Sequence, residues 1–156
     1  MIKILFVCHG NICRSTMAEF VMKELVRQAG MEQEIFVDSK ACRTDELGSD
    51  THHGTKTVLK AHNIPFTKRS ARQIQRADYA SFDYIIAMDE ENMRDLMRLT
   101  GGDPEHKCAL LLTYAGEQRE VADPWYTGNF EVTYQDVDKG CRALLAQFVK
   151  HAPPAL

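Results

Sequence analysis

The segment Cys8-His9-Gly10-Asn11-Ile12-Cys13-Arg14-Ser15 combines residue types that can bind an anion and attack it. A thiol opens it and an arginine follows six positions later. Between them, Gly10 and Asn11 tolerate backbone conformations closed to most residues. Such a turn can aim successive backbone N–H groups inward as an anion nest, and a helix starting at its end adds a partial positive charge. Arg14 is then placed to clamp phosphate oxygens with its planar fork. The same positive field favours the thiolate of Cys8, which is the nucleophilic form. A Cys and an Arg at this separation carry little information alone, since Cys8 could be an ordinary buried cysteine and Arg14 a solvated residue at a helix start. Their placement between an apolar strand and a helix is what suggests one loop that binds a phosphate and attacks it.

The elements that must position this loop are legible in the hydrophobic pattern. Residues 4–7 (Ile-Leu-Phe-Val) form a short continuous apolar run, the mark of a strand buried on both faces of a parallel sheet. Ser15 or Thr16 reads as a helix N-cap supported by Glu19, with Ala18, Val21, Met22, Leu25 and Ala29 at helical spacing and Gly30 as the stop. A second strand covers residues 35–37 and ends at Asp38-Ser39, and residues 40–54 read as a long surface loop. Helices are expected over 55–62, 70–77 and 91–99, with strands over 84–88 and 108–112 and a loop from Gly116 to Gly128. Tyr134, Val137, Cys141, Leu144, Leu145, Phe148 and Val149 fall on one face of a last helix, which Pro153-Pro154 closes. Strands alternating with helices predict an α/β fold, a doubly wound parallel sheet with helices on both faces. Sites in such sheets lie outside the carboxyl ends of the strands, which singles out the turn after the first strand and the loops near 40–50 and 116–128.

Composition bounds the partners. The 156 residues suit one domain spanning 1–156. With 44% apolar and 26% charged residues the chain is ordinary globular material. Nineteen Lys and Arg against 22 Asp and Glu leave a net charge of −3, too little of either sign for a nucleic-acid or membrane surface, so a bound anion must be held locally. Five cysteines are too few and odd in number for a disulfide scaffold, which indicates a reducing compartment. No apolar run reaches the roughly 7–15 residues of a secretory core or the ~18–20 of a membrane span, so the expected location is cytoplasmic.

The string Val7-Cys8-His9-Gly10-Asn11-Ile12-Cys13-Arg14-Ser15 resembles the phosphate-binding signature of the low-molecular-weight protein tyrosine phosphatases. Val37-Asp38-Ser39, Ala71-Arg72-Gln73-Ile74, Phe82-Asp83-Tyr84-Ile85, Met88-Asp89-Glu90 and Asp123-Pro124-Trp125-Tyr126 resemble later landmarks of that family, in its order. The resemblance implies a four-stranded parallel sheet and a two-step hydrolysis of phosphotyrosine and small aryl phosphates, with a cysteinyl-phosphate intermediate and no metal or cofactor. By the same resemblance Cys8 is the nucleophile, Arg14 the clamp on the equatorial oxygens, and Asp123 the acid and then the base. Ser15 donates to the thiolate, and Asn11, supported by Ser39, holds the loop's shape. His9, Gly10, Asn11, Ile12, Cys13 and Ser15 contact the substrate, with Asp45, Trp125 and Tyr126 around the ring. Cys13 can pair with Cys8 to guard it from oxidation, whereas Cys42, Cys108 and Cys141 read as packing residues. Thiolate and carboxylic acid must coexist, which implies a bell-shaped pH profile with its maximum below neutrality.

Departures from the family pattern matter too. Asp45 stands where many members carry an aromatic residue, and with Glu46 it points to a preference for basic residues beside the target. Arg69 stands where a loop-supporting His is common. The Lys and Arg residues between 56 and 76 read as a solvated face, and His52-His53 has no ligand partners at metal-binding spacing. Expected partners are phosphotyrosine proteins and phosphate or other oxyanions, with the chain a monomer or weak dimer. Two alternatives stand beside this reading. An arsenate reductase would need a downstream cysteine relay, yet Cys108 and Cys141 stand alone; a silent phosphotyrosine-binding module would not need Cys8, Arg14 and Asp123 together.

Overall fold

The computed structural model describes residues 1–149, so Pro153-Pro154 lies outside the described residues. Four parallel strands, β1 (Ile2–Cys8), β2 (Ile35–Ala41), β3 (Tyr84–Ala87) and β4 (Cys108–Leu110), form one sheet in the order β2-β1-β3-β4. Around it lie α1 (Arg14–Gln28), α2 (His53–Ala61), α3 (Arg76–Ser81), α4 (Glu90–Thr100), α5 (Pro124–Thr127) and α6 (Phe130–Val149). This is the doubly wound α/β architecture that the apolar runs imply. Among the described residues no helix is long and apolar enough to cross a membrane.

Strand β1 is central, and its side chains alternate between two cores as strand geometry requires. Ile4, Phe6 and Cys8 join the core made with α1, α2 and α6, while Leu5 and Val7 join the one packed against α3 and α4. Ile4, Leu5, Phe6 and Val7 have no exposed surface. Each such side chain contributes about 1.5–3 kcal/mol relative to an exposed one, which fixes the strand that aims the Cys8 turn. Because the chain leaves β1 for β2 on one side and returns to β3 on the other, the end of β1 is the topological switch point.

Local details differ from the pattern. Helix α1 begins at Arg14 with Cys13 as a cap that makes no side-chain bond. Ser15 and Thr16 therefore lie inside it, and Thr16 Oγ1 instead donates back to the carbonyls of Ile12 and Cys13, both at 3.1 Å. Glu19 does not reach the helix start. Strand β2 runs on to Ala41, since the 40–54 segment begins buried: Ala41 and Cys42 are both in the interior. The helix expected over 70–77 forms at Arg76–Ser81, because residues 71–74 are extended, with Ala41 and Gln73 forming a parallel bridge. β4 stops at Leu110 and a 3-10 turn, Leu111–Ala115, follows. The loop 116–128 contains α5, capped by Asp123 and ended by Gly128 at φ 68°.

Candidate active site

The loop from Cys8 to Arg14 is shaped from outside by bonds to its carbonyls. Cys42 N–H donates to the Cys8 carbonyl (2.9 Å), Arg43 N–H to that of His9 (3.0 Å) and His52 N–H to that of Ile12 (2.8 Å). Arg69 Nη1 donates to the Asn11 carbonyl (3.3 Å). A trans peptide points the next residue's N–H opposite to its carbonyl. Anchoring these four carbonyls outward therefore turns the N–H groups of His9, Gly10, Ile12 and Cys13 inward. Among the described residues none of the N–H groups from His9 to Cys13 donates to a protein backbone acceptor. Buried N–H groups need a partner, so this concavity suits an anion.

Asn11 takes the left-handed backbone, φ 60°, that the turn requires. Gly10 does not; a side chain there would meet Glu46 Cγ at 3.1 Å, so the glycine lets Glu46 approach closely. The Asn11 amide is fully buried and used at both ends. Its Nδ2 donates to Ser15 Oγ (2.8 Å) and Ser39 Oγ (3.0 Å), and its Oδ1 accepts from Arg72 N–H (3.4 Å). Ser15 Oγ lies 3.1 Å from Cys8 Sγ. Since Ser15 accepts from Asn11, its own proton is free to point at the sulfur.

Behind this row stands a second one. Ser39 Oγ donates to Glu19 Oε1 (2.5 Å), Lys23 Nζ donates to Glu19 Oε2 (2.6 Å), and Arg69 Nε lies 3.5 Å from Glu19 Oε1. Arg69 Nη2 donates to the Ser39 carbonyl (3.1 Å). Arg69 is thus nearly buried, which corrects its reading as part of a solvated face; it occupies the loop-supporting position with a guanidinium.

Arg14 is buried, and its side chain lies between three acceptors. Nη2 donates to Asp89 Oδ2 (2.9 Å) and lies 3.2 Å from Asp123 Oδ2, while Nη1 reaches the Val121 carbonyl (3.3 Å). Burial opposes its charge, but the Cys8 sulfur, Asp123 and Asp89 outweigh that and hold its pKa above the ordinary value. Asp123 is brought here by the neighbouring segment: Val121 N–H bonds the Met88 carbonyl at the end of β3, and Ala122 is held between Asp136 and Thr133 of α6. Asp123 Oδ1 also accepts from Trp125 N–H (3.0 Å), capping α5.

The remaining expected residues lie around this centre. Trp125 and Tyr126 are 78% and 85% exposed, so neither is a buried loop anchor. Asp45 does not stand free: its Oδ2 lies 2.6 Å from His9 Nε2. Cys13 is a free thiol, and burial first, then Cys8 and Asp123, push it up to about 12. Cys42 and Cys141 are buried, whereas Cys108 is only partly so. His52 caps α2 through its ring nitrogen and stacks on Phe130. Among the described residues no group of three or more His, Cys, Asp or Glu is arranged to hold a metal.

The sequence assigns no role in the site to Asp89 or Val121, and to Glu19 only the support of a helix cap. Asp89 had a signal, since it follows a buried strand and caps α4 through Asn92 at the sheet's carboxyl edge. Glu19 falls four residues after Ser15 on the buried stripe of α1, an unusual place for a carboxylate. Val121 contributes only its carbonyl, which no side-chain pattern reveals.

Comparison with known proteins gives a consistent picture. Residues 3–153 match the model of the family described as low molecular weight phosphotyrosine protein phosphatase. The chain is 41% identical over 152 residues to the low molecular weight protein-tyrosine-phosphatase YfkJ of Bacillus subtilis, covering 96% of this chain and 97% of that one. It is 40% identical over 147 residues to the human low molecular weight phosphotyrosine protein phosphatase, covering 91% and 92%. The crystal structure of YfkJ superposes with a TM-score of 0.93 over 98% of both chains.

Proposed function

The chain belongs to the low molecular weight phosphotyrosine protein phosphatase family and is a protein-tyrosine-phosphatase, and within that activity we propose that Cys8, Arg14 and Asp123 carry the chemistry. The observation that supports this most is the set of outward-anchored carbonyls, which leaves the N–H groups of His9, Gly10, Ile12 and Cys13 for three phosphate oxygens beside the Cys8 sulfur. We take residues 1–156 as a single phosphatase domain.

Catalysis then proceeds in two displacements. Cys8 Sγ attacks phosphorus and the P–O bond to the tyrosine ring breaks, with Asp123 giving its proton to the departing phenolate oxygen. Asp123, now a carboxylate, takes a proton from water as that water attacks the phosphocysteine. The P–S bond breaks and the thiolate leaves, received by the Ser15 hydroxyl at 3.1 Å. Arg14 stabilises the equatorial oxygens through both steps, and Asp89 keeps its guanidinium plane in place. Ile12, Trp125 and Tyr126 supply apolar surface for the ring, and Trp125 and Tyr126, being exposed, are available to a ring held outside the loop.

Release of phosphate from an aryl phosphate, assayed with chelator present, tests the assignment. Cys8→Ser is expected to lower turnover by several orders of magnitude, as loss of a nucleophile does elsewhere. Turnover that survives this substitution removes Cys8 from the role.

A further inference from the structure

At the mouth of the loop an imidazole lies between two carboxylates. His9, the residue after Cys8, has Nε2 2.6 Å from Asp45 Oδ2 and Nδ1 3.4 Å from Glu91 Oε1. The two acids come from different elements, Asp45 from the loop after β2 and Glu91 from the first turn of α4. All three side chains are open to solvent, His9 at 42%. Asp45 foremost, with Glu91, favours the protonated ring against some burial. The surroundings add negative charge: Glu46 lies over Gly10, and Glu120 accepts the Glu90 N–H at 2.8 Å. Of the basic side chains of these segments, Arg43 pairs with Asp95 and Arg119 with Asp136 and Glu117, while Arg94, one turn after Glu91 on α4, is exposed. The site therefore pairs a positive floor, at Arg14, with an acidic rim whose carboxylates at the mouth, Asp45 and Glu91, are bonded to the His9 ring and feel Arg43 only at longer range.

Resting on the phosphatase reading of the Cys8 loop, we propose that Asp45 and Glu91 form a cation-accepting subsite that selects phosphotyrosyl segments with an Arg or Lys next to the phosphotyrosine. An arginine fork is permanently charged and bidentate, so it competes with the His9 imidazole for the two carboxylates or shares them with it. A flanking carboxylate meets only repulsion there. Because the pairs are exposed, the preference is modest and sensitive to salt.

The test is the ratio of kcat/KM for two phosphotyrosyl peptides that differ only in Arg or Glu beside the phosphotyrosine. At low ionic strength the Arg peptide is expected to win by about tenfold, shrinking severalfold in high salt. Glu91→Gln lowers the ratio to about threefold, and Glu91→Gln with Asp45→Asn brings it near unity. Taking the ratio within each variant cancels any change in the chemical step. A wild-type ratio near unity, or a ratio unchanged in the double variant, overturns the subsite. Turnover of p-nitrophenyl phosphate separates the two readings. If it is normal while the peptides do not differ, only the subsite fails; if it is missing from the wild type, the phosphatase assignment fails.

Discussion

Around Cys8 the polar side chains are buried and each has several partners, whereas around His9 they stand in water and share single ones. Asn11, Ser15 and Ser39 have no exposed surface and bond one another, with Glu19 and Arg69 behind them. Asp45, Glu91, Trp125 and Tyr126 are exposed and are held by little beyond the His9 imidazole and the short α5 turn. The floor must keep its N–H groups fixed while charge moves from sulfur to phosphorus, and a rigid, satisfied network does that without reorganising. On the proposed reading the rim meets the peptide around the phosphotyrosine, and loosely held groups can adapt to it.

Substitutions can break this contrast, and the largest effect is expected at the junction of the two regions. Asp123→Ala should lower kcat by about 10²–10⁴-fold for esters with poor leaving groups and far less for good ones, since only the former need the proton. Equal losses on both remove Asp123 from the acid role. In the floor, Arg69→Ala leaves the Asn11 carbonyl without its donor, at about 1–3 kcal/mol when buried, and the Ser39 carbonyl with Arg72 Nη2 at 3.4 Å. Denaturant unfolding should show that loss, and kcat should fall by about tenfold as the loop loosens. In the rim, Tyr126→Ala should change stability by less than about 0.5 kcal/mol and raise KM for phosphopeptides severalfold. A stability loss there as large as that of Arg69→Ala would erase the distinction.

The two regions should also fail at opposite ends of the pH scale. Asp50 fixes the backbone that carries Arg69, accepting from Lys56 Nζ (2.7 Å) and from the N–H groups of Arg69 (3.1 Å) and Thr51 (2.7 Å). Lys56 first, then these N–H groups, hold its pKa at about 2. A depressed carboxylate stabilises the fold above its unfolded value of roughly 4 and loses that contribution as pH falls through the folded value. Thermal unfolding of wild type against Asp50→Asn should show an advantage that shrinks from about pH 4 to about pH 2. The His9 bridge has the opposite sign: its raised pKa makes it present below the ordinary histidine value and lost as pH rises through the folded one. An NMR titration of His9 should move toward the ordinary value in Asp45→Asn.

The floor's centre was legible in the sequence because its residues are contiguous, and a strand, a permissive turn and a helix start constrain one another. The sheet was legible for the same local reason, as continuous apolar runs. Two of the floor's supports were not: Glu19 reaches Ser39 and Arg69 only once β2 is packed beside α1, and Asp89 reaches Arg14 only once β3 and α4 are in place. Ser15 and Thr16 resembled an N-cap because their side chains do bond nearby groups, but the groups are Cys8 and the Ile12 and Cys13 carbonyls. The rim was half legible: Asp45 marked it, but Glu91 lies 46 residues further on and joins it only through His9.

Trapping the intermediate tests the central claim most directly. Rapid acid quench during turnover of an aryl phosphate, followed by peptide mass spectrometry, should find phosphate on Cys8 and none in Cys8→Ser. Phosphate on another residue, or steady turnover with no phosphocysteine at any time, would contradict the account.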